Sequence, residues 1–242
     1  MADRLAGKRA LVLVHEPDGG PGQVAVRLRQ RGFAVHTHVV TEDYGEPSAF
    51  EPWPAFDDFD LVVLMGSIRS LTDKDGIASW IHREIHDLAA AHKRGQPVFG
   101  VCFGGQLITE AMGGSVERAP EPNIGWGSIA DGPDGPNPAG SGPWMSWHHD
   151  RMIVPDGFDV LAVSDKSVEL IRSGKTVGTQ FHPEVDVSHL SGWLTAADPQ
   201  YLDDLGLDPE ALLASARENE EASITNCHNF VDWYLDEVAF TE

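Results

Sequence analysis

Short apolar runs alternate with amphipathic segments over the first 115 residues of the chain. The runs are rich in leucine and β-branched residues and occupy positions 9–14 (RALVLV), 33–40 (FAVHTHVV), 59–65 (FDLVVLM) and 97–101 (PVFGV). Such near-continuous runs are typical of strands buried on both faces. The segments between them have helical spacing at 23–32, 77–94 and 104–114. This alternation predicts a doubly wound α/β fold with a mainly parallel sheet and helices on both faces.

The pattern changes after residue 115. A Gly and Pro-rich connection spans 128–144 (SIADGPDGPNPAGSGPW), and three short runs follow at 159–164 (DVLAVS), 167–173 (SVELIRS) and 176–181 (TVGTQF). These runs predict an antiparallel meander, a small extension of the parallel sheet. An apolar stripe over 222–240 predicts a closing helix. We expect residues 1–242 to form a single domain.

The charge of the chain argues against some classes of binding partner. Acidic residues outnumber basic ones by 38 to 17, and the net charge of −21 opposes binding to nucleic acid or anionic membranes. No apolar run approaches the ~20 residues of a membrane span, and the N-terminus enters a strand-like run instead of a signal-peptide core. We therefore expect a cytoplasmic protein. The two cysteines, Cys102 and Cys227, lack the spacing of a disulfide framework or a Cys-based zinc site.

Cys102 lies in VFGVCFGGQ (98–106), where a predicted strand runs directly into a predicted helix. A turn this sharp requires small residues two positions before and after it, and Gly100 and Gly104 meet that condition. The helix N-terminus would favour a thiolate at Cys102, and the Phe103 N–H could serve as an oxyanion donor. On these residues alone, Cys102 could equally be a small buried apolar residue with glycines marking tight packing.

A second segment, GTQFHPEVD (178–186), supplies the partners that a cysteine nucleophile needs. His182 and Glu184 are two residues apart, so in an extended segment their side chains share a face. The Glu184 carboxylate can then orient the His182 ring and select its tautomer. His182 alone would be interpreted as an ordinary histidine, and the pairing favours a functional role.

Together, GVCFGGQ and GTQFHPEV resemble the paired signature of class I (triad) glutamine amidotransferases, G-x-C-x-G-x-Q and H-P-E. HEPDGGPG, LVVLMGS, EPNIGWG and WHHD extend the likeness, in order and spacing, to stand-alone proteins similar to the amidotransferase half of GMP synthetase. The resemblance covers most of residues 9–185. It implies a flavodoxin-like fold, with Cys102 as nucleophile, His182 as general base and acid, and Glu184 as its orienting partner.

The resemblance also implies further roles. The backbone N–H groups of Gly66 and Phe103 would form the oxyanion hole, and Gln106 would help to hold the glutamine substrate. The chain departs from the family pattern at the oxyanion hole, where Met65-Gly66-Ser67 replaces the family's usual Gly-Gly-Pro. The implied activity is hydrolysis of the glutamine γ-amide through a cysteinyl thioester. The ammonia would pass to a separate synthetase subunit.

Two other functions remain open for the same residues. The first is a γ-glutamyl peptidase or hydrolase, which would use the triad on a γ-glutamyl amide with a larger leaving group. The second is an inactive regulatory member of the family.

Neither a metal nor another cofactor is predicted. Adjacent His148 and His149 would point to opposite faces of a strand, and no G-x-G-x-x-G or P-loop lysine follows the first strand. The family has a Trp-His-Gly-Asp turn near its active site, which makes His148 and Asp150 candidates for the substrate pocket. His149 replaces the usual glycine.

Overall fold

The computed structural model describes residues 4–45, 48–49 and 51–241. Residues 1–3, part of the segment that argues against a signal peptide, lie outside this description. The chain opens with β1 (Arg9–Val14), α1 (Gly22–Gln30) and β2 (Ala34–Val39), which confirms the predicted alternation of strand and helix at the start of the chain. The later strands are β3 (Leu61–Leu64), β4 (Val98–Val101), β5 (Ser115–Gly127), β6 (Ala130–Asp131), β7 (Trp144–Ile153), β8 (Asp159–Val163), β9 (Val168–Ser173) and β10 (Thr176–Thr179). The later helices are α2 (Ile81–Lys93), α3 (Phe103–Ala111), α4 (Val187–Ala196), α5 (Pro199–Asp204) and α6 (Pro209–Trp233).

The main sheet has the strand order β2-β1-β3-β4-β10-β9-β8-β6. Its first five strands run parallel, in the 2-1-3-4-5 order of flavodoxin-like folds. The remaining pairs are antiparallel. The predicted mainly parallel, doubly wound sheet with an antiparallel extension is therefore confirmed.

The position of β10 differs from its predicted place inside an antiparallel meander. It pairs antiparallel with β9, but its other edge pairs parallel with β4, with Thr176 opposite Val98 and Thr179 opposite Val101. The run TVGTQF is therefore the fifth parallel strand. Because the carboxyl ends of parallel strands share one edge of a sheet, the residues after β10 lie beside the residues after β4.

Side chains alternate between the two faces along each central strand. In β1, Val12 packs with α1 and α6, whereas Leu13 packs with α2 and α3 on the opposite face. Both side chains are fully buried, and burial of such a side chain contributes about 1.5–3 kcal/mol. Two apolar layers thus enclose β1, β3 and β4, as their continuous apolar runs predict. The prediction is wrong for β2, which lies at the edge of the sheet and is exposed or half-buried along its whole length.

Two helices begin four or more residues away from their predicted starts. The predicted 77–94 helix begins only at Ile81, after a 3₁₀ turn at Asp75–Ile77. A 3₁₀ turn also buries residues three apart, so the apolar spacing does not distinguish the two. The closing helix is longer than predicted: α6 begins at Pro209, and a π-helical turn extends it to Ala239.

A two-stranded antiparallel sheet of β5 and β7 was not predicted. β5 is exposed or half-buried along its whole length, so it lacks the apolar alternation that marks a strand. Its partner β7 contains the WHHD segment, and Met145 of β7 forms an antiparallel bridge with His182, which follows β10. Of the described helices, none has the length and apolar character needed to cross a membrane.

Candidate active site

Cys102 occupies the turn between β4 and α3, as the sequence predicts. Its backbone has φ +51° and ψ −103°, and it is the one non-glycine residue with positive φ among the described residues. Such a conformation costs on the order of 1–3 kcal/mol for a residue with a Cβ, and the surroundings must enforce it. The Cys102 N–H donates to the carbonyl of Thr179 at 2.8 Å, and the Cys102 carbonyl accepts the first helical bond from Gln106 N–H at 2.9 Å.

The glycines around Cys102 allow the turn to pack against its neighbours. A Cβ on Gly100 would lie 2.5 Å from the carbonyl carbon of Gly104, and one on Gly104 would lie 2.3 Å from the Leu64 carbonyl oxygen. A Cβ on Gly105 would lie 2.4 Å from the Thr179 carbonyl oxygen. All three contacts are with backbone atoms, so no side chain could move aside. The glycine pattern therefore reflects close backbone packing.

His182 and Glu184 follow β10 and lie beside this turn. The His182 N–H donates to the Met145 carbonyl at 2.8 Å, which attaches the segment to β7. The His182 Nδ1 lies 2.8 Å from Glu184 Oε1, and the ionised carboxylate makes Nδ1–H the donor. Trp193 packs edge-on against the His182 ring with 4.9 Å between centroids. The i, i+2 pairing inferred from the sequence is present.

The electrostatics of the His182 ring favour its protonated form. Burial opposes protonation, but the Glu184 carboxylate and the Cys102 sulfur outweigh it and raise the pKa of His182 well above its usual value. The His182 Nε2 is buried and has no hydrogen-bond partner within the described residues. It is therefore available to exchange a proton with a group in the cavity.

Gly66, the predicted oxyanion donor after β3, lies directly beside Cys102 and His182. A Cβ on Gly66 would lie 2.9 Å from His182 Cε1 and 3.9 Å from the Cys102 Cβ, so this position has little room for a side chain. Phe103 is the first residue of α3, and an N–H at a helix N-terminus has no acceptor within the helix. The two predicted donors thus border the same space.

Cys102, His182 and Glu184 line one open cavity of about 600 Å³, together with Gly66, Phe103 and Gln106. Its wall also carries acidic and basic side chains, namely Glu16, Asp18, Asp150, Asp198, Arg69 and Arg118. Among the described residues, no group of three or more His, Cys, Asp or Glu side chains could hold a metal ion. A strained cysteine, a buried His–Glu pair and backbone donors are the parts that acyl transfer through a thioester requires.

The family model for class-I glutamine amidotransferases matches residues 22–195, which is most of the chain. The chain belongs to the class I glutamine amidotransferase family. The curated relatives of this amidotransferase include GMP synthase (glutamine-hydrolyzing) of Staphylococcus saprophyticus, 36% identical over 131 residues. The same-named protein of Staphylococcus aureus is 37% identical over 131 residues. Each match covers 51% of this chain and 24% of the relative, so it spans about a quarter of the relative's length.

Solved structures share the fold of this amidotransferase. A glutamine amidotransferase of Thermotoga maritima has a TM-score of 0.81 at 22% identity, covering 95% of this chain and 98% of that one. A glutamine amidotransferase of Methylobacillus flagellatus has a TM-score of 0.77 at 19% identity, covering 96% of each chain. A putative GMP synthase subunit of Thermoplasma acidophilum has a TM-score of 0.57 at 19% identity and covers 94% of each chain.

Gln106 borders the cavity of this amidotransferase, but its amide is engaged within the protein. Its Nε2 donates at 3.3 Å both to the Asp150 carbonyl and to Gln180 Oε1. Gln180 in turn directs its Nε2 to the Cys102 sulfur at 3.6 Å. Sequence reasoning missed Gln180, although it lies two residues before His182 and therefore on the same face of an extended segment.

His148 and Asp150, the weaker pocket candidates, lie on β7 and border the same cavity. The His148 Nδ1 donates to the Asp150 carbonyl at 2.9 Å, which leaves Nε2 as a buried acceptor with no partner in the described part of the chain. Burial lowers the pKa of His148 to about 4, so its ring is neutral near pH 7. Asp150 pairs with Arg118 at 3.2 Å and accepts a hydrogen bond from Ser70.

Proposed function

We propose that this amidotransferase hydrolyses the γ-amide of glutamine through a thioester on Cys102. The observation that carries the proposal is the strained Cys102 turn, which opens into the same cavity as the hydrogen-bonded His182–Glu184 pair. The family assignment supports glutamine as the substrate.

The proposed reaction has two halves. The Cys102 thiolate attacks the γ-carbonyl carbon, and the carbonyl oxygen becomes an oxyanion that accepts hydrogen bonds from the Gly66 and Phe103 N–H groups. Loss of one such donor typically costs about 3 kcal/mol. Protonated His182 then gives its proton to the leaving nitrogen, the C–N bond breaks, and ammonia departs.

Neutral His182 next takes a proton from water, and the resulting hydroxide attacks the thioester carbon. The C–S bond breaks, glutamate is released, and the Cys102 thiolate and protonated His182 are restored. Glu184 remains ionised and keeps the Nδ1–H tautomer throughout. The raised pKa of His182 supports this cycle, because it favours the protonated ring that gives its proton to the leaving nitrogen.

The proposed fate of the ammonia is transfer to a separate synthetase. The curated relatives are GMP synthases, and a protein of similar fold is a putative GMP synthase subunit. These similarities support a glutaminase that acts with a synthetase subunit. The partnership would be tested in two steps. A synthetase should copurify with this chain, and the pair should then transfer ammonia from glutamine to the acceptor substrate of the synthetase.

A γ-glutamyl peptidase or hydrolase is the second candidate, and the size of the cavity favours it. A volume of about 600 Å³ falls within the range of pockets that hold drug-sized ligands, so a leaving group larger than ammonia could be accommodated. Purified protein should therefore be assayed with glutamine and with γ-glutamyl dipeptides. Rapid cleavage of the dipeptides with glutamine untouched would favour the peptidase.

The thioester itself gives a direct test. Mass spectrometry of protein quenched during turnover should find a γ-glutamyl adduct on Cys102, and Cys102→Ala should abolish both adduct and hydrolysis. Cys227→Ala is the matched control, because Cys227 is fully buried in α6 and burial raises the pKa of its thiol well above the usual value. It should retain hydrolysis. If Cys102→Ala changes neither activity nor any phenotype, the inactive regulatory member is the better interpretation.

A further inference from the structure

His15 and Glu16 follow β1 directly, and both are buried although the proposed reaction uses neither. Each contacts the loop after β3 that contains Gly66. The loop carries Met65-Gly66-Ser67, in which no proline fixes the backbone, so the contacts that neighbouring residues make with it restrict its conformation.

His15 connects the loop to the start of α3. Its Nδ1 lies 3.2 Å from the Gly66 carbonyl oxygen, and its ring packs edge-on against Phe103 with 4.9 Å between centroids. On its other side, Nε2 lies 3.1 Å from Glu84 Oε1, and Glu84 is fully buried in α2. One imidazole thus touches both residues whose N–H groups would form the oxyanion hole.

The partners of the His15 ring decide where its protons lie. The Gly66 carbonyl can only accept, so Nδ1 must carry a hydrogen. At Nε2 the ring faces Glu84 Oε1. Burial opposes protonation of the ring, but Glu84 outweighs it and raises the pKa of His15. A protonated ring carries hydrogens on both nitrogens, so it donates to Glu84 and to the Gly66 carbonyl together.

Glu16 holds the next residues of the same loop. Its Oε1 accepts a hydrogen bond from the Ser67 hydroxyl at 2.8 Å, and its Oε2 accepts one from the Ile68 N–H at 3.3 Å. Arg69 Nε lies 3.6 Å from Oε1 and partly compensates the buried charge. Three successive loop residues, 66 to 68, are thus bound to two successive residues at the end of β1.

We propose that His15 and Glu16 are positioning residues that hold the Gly66 loop against the Cys102 turn and so set the spacing of the two oxyanion donors. This role rests on the proposed thioester chemistry. Displacement of an oxyanion donor weakens the transition state more than it weakens binding of the uncharged substrate amide. The signature is therefore a loss of kcat with little change in KM.

A pair of amide substitutions at His15 tests this. In His15→Asn the side-chain NH₂ lies near the original Nδ1 and can still donate to the Gly66 carbonyl, whereas in His15→Gln it lies near Nε2 and can only reach Glu84. We expect kcat to fall roughly 10- to 100-fold in His15→Gln with KM within about threefold, and Asn to recover a substantial part of the loss. His92→Gln, a histidine of α2 paired with Thr176 outside the cavity, is the control and should match wild type.

Alkylation of Cys102 by iodoacetamide separates positioning from structural damage, because it forms no oxyanion. The alkylation rate of His15→Gln should stay within about twofold of wild type. A matching fall in alkylation and kcat would overturn the proposal in favour of a structural role, and so would equal kcat for His15→Gln and wild type. If wild-type protein hydrolyses no γ-glutamyl amide, the proposed function fails instead.

Ser67 offers a second test that does not depend on folding of the His15 variants, because its side chain lies at the cavity wall. Ser67→Ala removes the hydroxyl bound by Glu16, and Ser67→Thr keeps it. We expect a several-fold fall in kcat for Ala and recovery for Thr, again with the alkylation rate unchanged. Equal kcat in Ala and wild type would overturn the role of Glu16.

Discussion

Replacement of Gly104 by alanine perturbs the packing that creates the Cys102 turn. Gly104 is the second residue of α3, and its new Cβ would lie 2.3 Å from the Leu64 carbonyl oxygen and 2.8 Å from the Leu64 Cβ. Ordinary contact begins near 3.4 Å, so α3 and β3 would have to separate by about 1 Å. Overpacking of this kind costs about 1–3 kcal/mol.

The gain in helix propensity offsets only part of this cost. Alanine is favoured over glycine by up to about 1 kcal/mol inside a helix. The net expectation for Gly104→Ala is a loss of about 1–2 kcal/mol, equivalent to a fall in Tm of about 2–8 °C for a chain of this size. The separation also displaces the α3 N-terminus from Cys102, so iodoacetamide should alkylate the thiol more slowly.

Gly192 provides the matched control, since it lies exposed in α4 and a Cβ added there would have no atom within 4 Å. Gly192→Ala should therefore show the propensity gain alone and raise Tm by about 1–4 °C. Thermal unfolding by circular dichroism measures both variants, with alkylation followed by intact-protein mass spectrometry. If Gly104→Ala is as stable and as readily alkylated as wild type, close packing does not shape this turn.

Three further predictions each concern the side chain of a single residue. Glu184→Gln should lower kcat by roughly 10²- to 10⁴-fold in a steady-state glutaminase assay, because the amide no longer stabilises protonated His182; a change below threefold would contradict the triad. The pKa of His148 falls from 6.5 to about 4 on folding, so stability should fall by about 3 kcal/mol between pH 6.5 and 4 as the unfolded chain binds the proton first. In urea unfolding, the free energy of unfolding of His148→Gln should depend less on pH between 6.5 and 4 than that of the wild type. An unchanged slope would refute the lowered pKa of His148. Asp208→Ala removes the side-chain acceptor of the Glu210 N–H at the start of α6 and should cost about 1 kcal/mol in the same experiment.

Local sequence patterns were sufficient for the elements that carry Cys102. The apolar run 97–101 and the glycines around Cys102 predict a strand, a sharp turn and a helix, and β4 and α3 have those positions. The helical start at Pro209 was missed for a local reason as well. The first half of α6 buries little beyond Ala216, so it has no apolar stripe, and only the Asp208-Pro209 pair signals its beginning.

The proximity of Cys102 and His182 has a different origin, because 80 positions separate them. The motif resemblance predicts that the two residues act together, but no periodicity in the chain predicts that they meet. They meet because β10 pairs parallel with β4, which the antiparallel prediction for TVGTQF did not include. A strand at the boundary between parallel and antiparallel parts of a sheet has the same composition in either pairing.

The contacts of the Gly66 loop show which contacts between distant segments can be predicted once the strand order is known. Glu16 and Ser67 lie in HEPDGGPG and LVVLMGS, 51 positions apart, and neither segment alone indicates the other. Once β1 and β3 are known to be parallel neighbours, the residues after each strand must lie at the same edge of the sheet. The strand order therefore predicts that His15 and Glu16 approach the loop. Which atoms bond depends on rotamers and on buried Glu84 in α2, and these follow only from the packed structure.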